Sequence, residues 1–101
     1  MNAGERRILI CQRWEESERG WGTKPDGYSL HLTDEDREAF IREYWDQMPN
    51  AVPDEYSRPD GTPYVCYVDE GTYQGVAKTK NGRRFWGCFP EPVAKSSVRD
   101  G

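Results

Sequence analysis

Two short apolar runs constrain the fold of this chain more than any other feature of its sequence. The first is Ile8-Leu9-Ile10-Cys11 and the second is Tyr64-Val65-Cys66-Tyr67-Val68. Because successive side chains of a strand point to opposite faces, an unbroken apolar run predicts a strand with both faces covered. We therefore predict an inner strand of a sheet over residues 7–14 and a second strand with both faces covered over residues 64–68.

A repeating apolar stripe predicts one amphipathic helix. Thr33 and Asp36 have the spacing of a capping box, with Asp in place of the usual Glu. Apolar residues then recur at three- and four-residue spacing, at Phe40, Ile41, Tyr44, Trp45 and Met48. Since Pro49 cannot continue a helix, the pattern predicts a helix over residues 34–48.

Weaker signals complete the order of elements. Alternating polarity predicts a strand over residues 28–32, and Asp69 is a suitable cap for a helix over residues 70–80. A last strand is expected over residues 83–89. The polar segments 15–27 and 50–61 are interpreted as a loop and an irregular connection, each ending in a Pro-Asp-Gly turn.

The order β-β-α-β-α-β predicts a small α+β domain with a mixed four-stranded sheet and two helices. This single domain is expected to span residues 1–89, and residues 90–101 are expected to form a flexible C-terminal tail. Both helices are predicted to pack on one face of the sheet. The opposite face would then carry Ser29 and His31.

The composition indicates how such a polar chain fills its core and which partners suit it. Only 35% of the 101 residues are hydrophobic but 13% are aromatic, so a few large rings must provide much of the buried area. The formal net charge is −4. This charge disfavours nucleic acid as a partner, because phosphate binding needs basic residues, and it suits a basic protein surface.

Cysteine usage and the N-terminus indicate where the chain resides. Cys11, Cys66 and Cys88 are odd in number and form no closely spaced pair, so we interpret them as free thiols in a reducing compartment. The apolar run that follows the N-terminus has only four residues, too few for a signal peptide or a membrane span. A cytoplasmic location without membrane attachment is expected.

Few residues are suited to catalysis or to metal binding. His31 is the only histidine, and a structural zinc site needs four Cys or His ligands in spaced pairs. No metal, no cofactor and no catalytic residue is therefore predicted, and an enzyme is the least favoured class. His31 is interpreted as a solvated or hydrogen-bonded sheet position, with lining of a pocket as the alternative.

The leading functional hypothesis is a stand-alone protein-interaction module. Trp21 lies between two glycines in a charged loop, where it either folds back on the domain or anchors a partner. The helix has an acidic side that is either solvated or docks on a basic protein. The predicted partner-binding residues are Arg19, Trp21, Tyr28, Glu35, Glu38, Glu43 and Asp46.

Size and charge suit an accessory or inhibitor protein of a mobile element that acts on a host enzyme, and exposed edge strands would also permit a homodimer. The alternative hypothesis is a domain that binds a small molecule or a nucleotide. Basic residues interleaved with rings can hold such a ligand, although a solubilising end of a hairpin explains them as well. The predicted ligand-binding residues are His31, Lys80, Arg83, Arg84 and Trp86.

Overall fold

The computed structural model describes residues 7–18, 22–48 and 55–86, together with Pro92, Ala94 and Lys95. The elements in chain order are β1 (Arg7–Glu18), β2 (Gly22–His31), α1 (Asp34–Asp46), β3 (Glu55–Val68), α2 (Glu70–Ala77) and β4 (Arg83–Phe85). The predicted α+β class and the predicted order of elements are confirmed.

The four strands form one sheet in the order β3-β1-β2-β4, in which every neighbouring pair is antiparallel. The sheet is thus antiparallel and not mixed, and the path of the chain explains this. β2 and β3 run parallel to each other, but the connection through α1 crosses β1. The two parallel strands are therefore separated by an antiparallel one.

The first three strands extend well beyond their predicted ends. β1 and β2 continue through most of the expected loop, and β3 begins within the expected irregular connection. Charged side chains hold these polar extensions together across the strands: Lys24 Nζ lies 3.6 Å from Glu16, and Arg58 Nε lies 2.6 Å from Glu15. Such long-range pairs leave no local apolar signal in the sequence.

Both Pro-Asp-Gly segments form irregularities within strands, not the predicted turns. The register between β1 and β2 shifts beside Asp26 and Gly27, and that between β1 and β3 shifts beside Gly61. Both glycines have positive φ, 77° at Gly27 and 73° at Gly61. At the second irregularity the buried Gln12 amide donates to the carbonyl oxygens of Asp60 and Gly61, at 3.2 and 3.3 Å.

The helices pack on opposite faces of the sheet, which corrects the prediction that they share one face. α2 places Val76 in the core with residues of the first face, namely Leu9, Cys11, Tyr28, Leu30, Cys66 and Val68. α1 covers the second face, where Phe40 and Tyr44 contact Trp14. Ser29 and His31 lie on this second face and are fully buried, so they do not form an open surface.

The N-terminal caps of both helices agree with the sequence signals, whereas both C-terminal ends come earlier than predicted. Thr33 Oγ1 accepts from Asp36 N at 3.0 Å, and Asp69 Oδ1 accepts from Thr72 N at 2.6 Å, so both predicted caps are confirmed. Asn81, which follows α2, has a positive φ of 63°, a left-handed conformation that is common after the C-terminus of a helix. α1 ends two residues earlier than predicted and α2 three residues earlier.

Four observations concern the remaining structural predictions. The first apolar run is covered on one face only: Leu9 is buried but Ile8 is 45% exposed, because α1 crosses the sheet further along β1. Cys11 and Cys66 are buried thiols that form no disulfide, whereas Cys88 lies outside the described residues. Within the expected tail, Ala94 bridges to Cys66 on the outer edge of β3. No described helix has the length and apolar character needed to cross a bilayer.

Candidate functional site

A small aromatic pocket lies between α1 and β4 on the face of the sheet that α1 covers. Its volume is about 140 Å³. One side of α1 and its C-terminal cap supply four of its residues at helical spacing, β1 supplies one, and β4 with the residue after it supplies two. The lining residues are Trp14, Phe40, Glu43, Tyr44, Gln47, Arg84 and Trp86.

The rings of the pocket meet edge to face. The planes of Trp14 and Phe40 make an angle of 74° with centroids 6.2 Å apart, and those of Trp14 and Tyr44 make an angle of 73° at 5.0 Å. Aromatic rings prefer this geometry because the positive edge of one ring meets the negative face of another. These contacts fix the half-buried rings of Phe40 and Tyr44 against the buried ring of Trp14 and give the pocket aromatic walls.

Arg84 forms one wall of the pocket as a buried cation. Its side chain is only 10% exposed, and its guanidinium carbon lies 4.8 Å from the Trp14 ring centroid and 4.0 Å from that of Trp86. It donates to Phe85 O at 2.9 Å and to Asp26 Oδ2 at 3.3 Å. Burial lowers the pKa of Arg84 to about 10, and the nearby charge of Asp26 opposes that shift.

A hydrogen-bond network holds the elements around the pocket together. The Tyr44 hydroxyl donates to Ser57 O and accepts from Ser57 N at 3.0 Å. Ser57 Oγ donates to the same Asp26 oxygen that Arg84 contacts. The network thus joins α1, β3, β2 and β4. Burial raises the pKa of the Tyr44 hydroxyl, which keeps this donor protonated.

The rim of the pocket is polar and partly exposed. Glu43 lies 3.2 Å from Lys80 Nζ and accepts from Asn81 Nδ2 at 3.3 Å. Trp86 is 56% exposed, the largest value among the exposed hydrophobic residues that the structure describes. Trp86 is therefore the most exposed ring of the pocket.

A buried polar chain lies behind the pocket. Trp14 Nε1 donates to Ser29 Oγ at 2.8 Å, and Ser29 Oγ lies 2.7 Å from His31 Nε2. His31 Nδ1 lies 2.6 Å from Asn81 O, and because a carbonyl only accepts, we assign the ring proton to Nδ1. Burial is the main cause that lowers the pKa of His31.

The pairing of Ser29 and His31 has the distances of a nucleophile and a general base, but its surroundings oppose catalysis. Both side chains have no exposed surface, and Trp14 in front of them is 1% exposed. A nucleophile must reach the reacting atom of its substrate. In this conformation the serine and the histidine stabilise the packing of α1 against the sheet and do not form a reachable site.

The residues of the protein-interaction hypothesis are not brought together by the described structure. Arg19 and Trp21 lie outside the described residues. Tyr28 is buried in the core, where its ring stacks on Phe85 with centroids 5.0 Å apart. The acidic residues Glu35, Glu38 and Asp46 are exposed, and Glu43 lies at the rim of the pocket.

The residues of the ligand-binding hypothesis are divided between the pocket and other places. Arg84 and Trp86 meet in the pocket, and Lys80 contacts Glu43 at its rim. His31 is buried behind the pocket with both ring nitrogens engaged, and Arg83 is exposed. Sequence reasoning missed Trp14, Phe40, Tyr44 and Gln47 as pocket residues. Phe40, Tyr44 and Gln47 recur at helical spacing on one side of α1 and its C-terminal cap, and this spacing could have indicated that they lie together.

Comparison with known proteins leaves the site to be interpreted from its geometry alone. No protein-family model matches the chain, and no curated protein or solved structure is significantly similar to it. Within the part of the chain that the structure describes, no three His, Cys, Asp or Glu side chains are grouped as metal ligands.

Proposed function

We propose that this domain binds a protein partner and that one side chain of the partner inserts into the aromatic pocket. The size of the pocket carries the proposal. A volume of about 140 Å³ is close to the ~150 Å³ cavity that holds one benzene molecule and is well below the ~300 Å³ at which drug-sized ligand sites begin. A single side chain fits such a recess better than a cofactor does.

The exposed Trp86 supports a protein partner as well. Tryptophan is enriched among the residues that dominate binding energy at protein interfaces. Arg84 holds this indole from one side at 4.0 Å, so the ring is already oriented before a partner arrives. Such preorganisation reduces the entropy that binding would otherwise cost.

The pocket replaces the predicted cluster of Tyr28 with the loop that contains Trp21 as the proposed binding surface. Tyr28 packs in the core, so its ring is not available to form a cluster with the loop that contains Trp21. We assign the contact to the pocket and to the acidic helix α1 that forms one of its walls. The finer expectation, that the partner is a host enzyme blocked by a protein of a mobile element, stays a prediction.

A matched pair of tryptophan variants tests the proposal. Tagged wild type, Trp86→Ala and Trp45→Ala would be used to capture proteins from nuclease-treated lysate of the source organism. Trp45 is 38% exposed and does not line the pocket, so it controls for the loss of any surface indole. The captured protein would then be identified, purified and titrated by calorimetry.

We expect Trp86→Ala to weaken the purified complex by at least about tenfold, as is typical of a central interface residue, and Trp45→Ala to bind as wild type does. Equal affinity for wild type and Trp86→Ala would overturn the proposal. If the only protein bound is a second copy of the chain, sedimentation would show a dimer, and the same variants would test whether the pocket forms its interface.

A small-molecule ligand is the second candidate. Two of the residues predicted to bind such a ligand, Arg84 and Trp86, meet in the pocket. Its test is a thermal-shift screen of nucleotides, since a ligand that binds only the folded state raises the melting temperature. A saturable rise that is lost in Trp86→Ala would favour this candidate over the protein partner.

A further inference from the structure

We infer that the side chain taken into the pocket is an aromatic ring carried on a basic segment of the partner. This inference rests on the proposed function and specifies the chemistry of the partner at the same site. Three features of the pocket lead to it: the arrangement of its rings, the neutralisation of Arg84 and the charge around its rim.

The walls favour an aromatic occupant. Phe40 and Tyr44 both stand nearly perpendicular to the buried Trp14, and together with the exposed Trp86 they line the pocket with rings that an inserted ring can contact. The volume of about 140 Å³ admits one six-membered ring. Offset and edge-to-face contacts are the arrangements that aromatic pairs prefer.

The buried cation in the wall does not call for an anionic occupant. Trp14 and Trp86 both lie within 4.8 Å of the guanidinium carbon of Arg84, and Asp26 meets its charge. A carboxylate that entered the pocket would also approach Glu43 at the rim. A neutral ring does not compete with Asp26 for Arg84, and Glu43 does not repel it.

The surroundings of the pocket favour basic flanking residues. α1 forms one wall of the pocket, and six of its 13 residues are acidic whereas two are basic. Glu43 lies at the pocket itself, where Lys80, which is 82% exposed, pairs with it. The net negative charge of this helix attracts Lys or Arg residues of a partner.

Synthetic peptides separate the ring from the charges. The test peptide has the sequence KKFKK with blocked ends, and its two controls are KKAKK, which lacks the ring, and EEFEE, which reverses the charges. Each would be titrated into the full-length protein and followed by the indole N–H signals of the four tryptophans in NMR spectra. Wild type, Trp86→Ala, Trp45→Ala and Glu43→Gln would be compared.

We expect KKFKK to bind at least about tenfold more tightly than KKAKK, as the burial of one phenyl ring predicts. KKFKK should also bind more tightly than EEFEE, with an affinity that falls as salt is added. Trp86→Ala should weaken KKFKK, Glu43→Gln should weaken it less, and Trp45→Ala should not change it.

Each other result overturns a defined part of the inference. Equal binding of KKFKK and KKAKK would rule out the aromatic anchor, and equal binding of KKFKK and EEFEE would rule out the basic flanks. If neither Phe peptide binds but the purified partner depends on Trp86, the inference fails and the proposed function stands. If the partner does not depend on Trp86 either, both fail.

Discussion

The guanidinium carbon of Arg84 lies 4.0 Å from the centre of the Trp86 ring, two residues further along the chain. One side chain is almost fully buried and the other is more than half exposed, so the pair connects the interior of the domain to the rim of the pocket. At the interior end, Arg84 forms an ion pair with Asp26. Arg84 therefore contributes both to the stability of the fold and to the shape of the pocket.

Substitution of Arg84 should therefore cost stability. Arg84→Met removes the donors to Phe85 O and Asp26 and leaves a mostly buried carboxylate without its cation. We expect a loss of about 2–3 kcal/mol in the free energy of unfolding, somewhat below the cost of breaking a fully buried pair. Urea unfolding followed by tryptophan fluorescence measures it.

Three further variants identify the source of that loss: Arg83→Met, Asp26→Asn and the double variant Arg84→Met with Asp26→Asn. Arg83→Met changes an exposed neighbour and should alter stability by less than about 0.5 kcal/mol. The double variant Arg84→Met with Asp26→Asn removes the uncompensated charge and should recover part of the loss. A double variant as unstable as the sum of its two single changes would contradict this explanation.

The buried amide of Gln12 should stabilise the irregular segment of β3. Gln12→Leu keeps the side-chain volume but removes the bonds to Asp60 O and Gly61 O and the acceptor for Arg37 at 3.1 Å. We expect a loss of about 1–2 kcal/mol, since the exposed backbone of Asp60 and Gly61 can turn to water. Gln74→Leu on the exposed side of α2 is the control, and an equal loss in both variants would refute the role of Gln12.

The part of the fold that follows from local chemistry could be predicted from the sequence. Apolar runs, alternating polarity and the caps at Thr33 and Asp69 each depend on neighbours a few residues away, so the order of elements was recovered. The extensions of β1, β2 and β3 were missed because they are polar and are held by pairs such as Arg58–Glu15, 43 residues apart. Local composition carries no trace of such contacts.

The site could be predicted only in pieces. The sequence indicated a basic and aromatic segment at Arg84 and Trp86, and it placed Phe40 and Tyr44 on the apolar side of a helix. Their meeting depends on the pairing of Ser29 with Arg84, which brings β4 beside β2 and places Arg84 on the face that α1 covers. That pairing joins residues more than fifty positions apart, and no periodicity in the sequence specifies it.

Gly82 should tolerate no side chain, because its backbone and its surroundings both exclude one. Its φ is 123°, and a Cβ atom there would collide with His31 Nδ1 and Leu30 O. We expect Gly82→Ala to lose at least about 3 kcal/mol of stability through displacement of the buried histidine. Gly61→Ala, at φ 73° with no atom near the added carbon, should lose only about 1–2 kcal/mol. If thermal or urea unfolding gave similar losses for Gly82→Ala and Gly61→Ala, the collision of the added methyl group at position 82 would be relieved at little cost in stability.

The same buried histidine should make the domain less stable in mild acid. Burial holds the pKa of His31 in the folded state below its ordinary value of 6.5, so below that pH the unfolded chain binds more protons than the folded one. The contribution of His31 to stability is therefore complete above about pH 7 and is lost as the pH falls through 6.5 towards the folded-state pKa. Because His31 is the only histidine, its titration should dominate the change in stability between pH 7 and 5.5.

We expect urea unfolding to show this decline in wild type and a flatter dependence on pH in His31→Gln. The variant should also be less stable than wild type at pH 7.5, because it lacks the hydrogen bonds of His31 to Ser29 and Asn81. An equal slope in the two proteins would assign the decline to other groups.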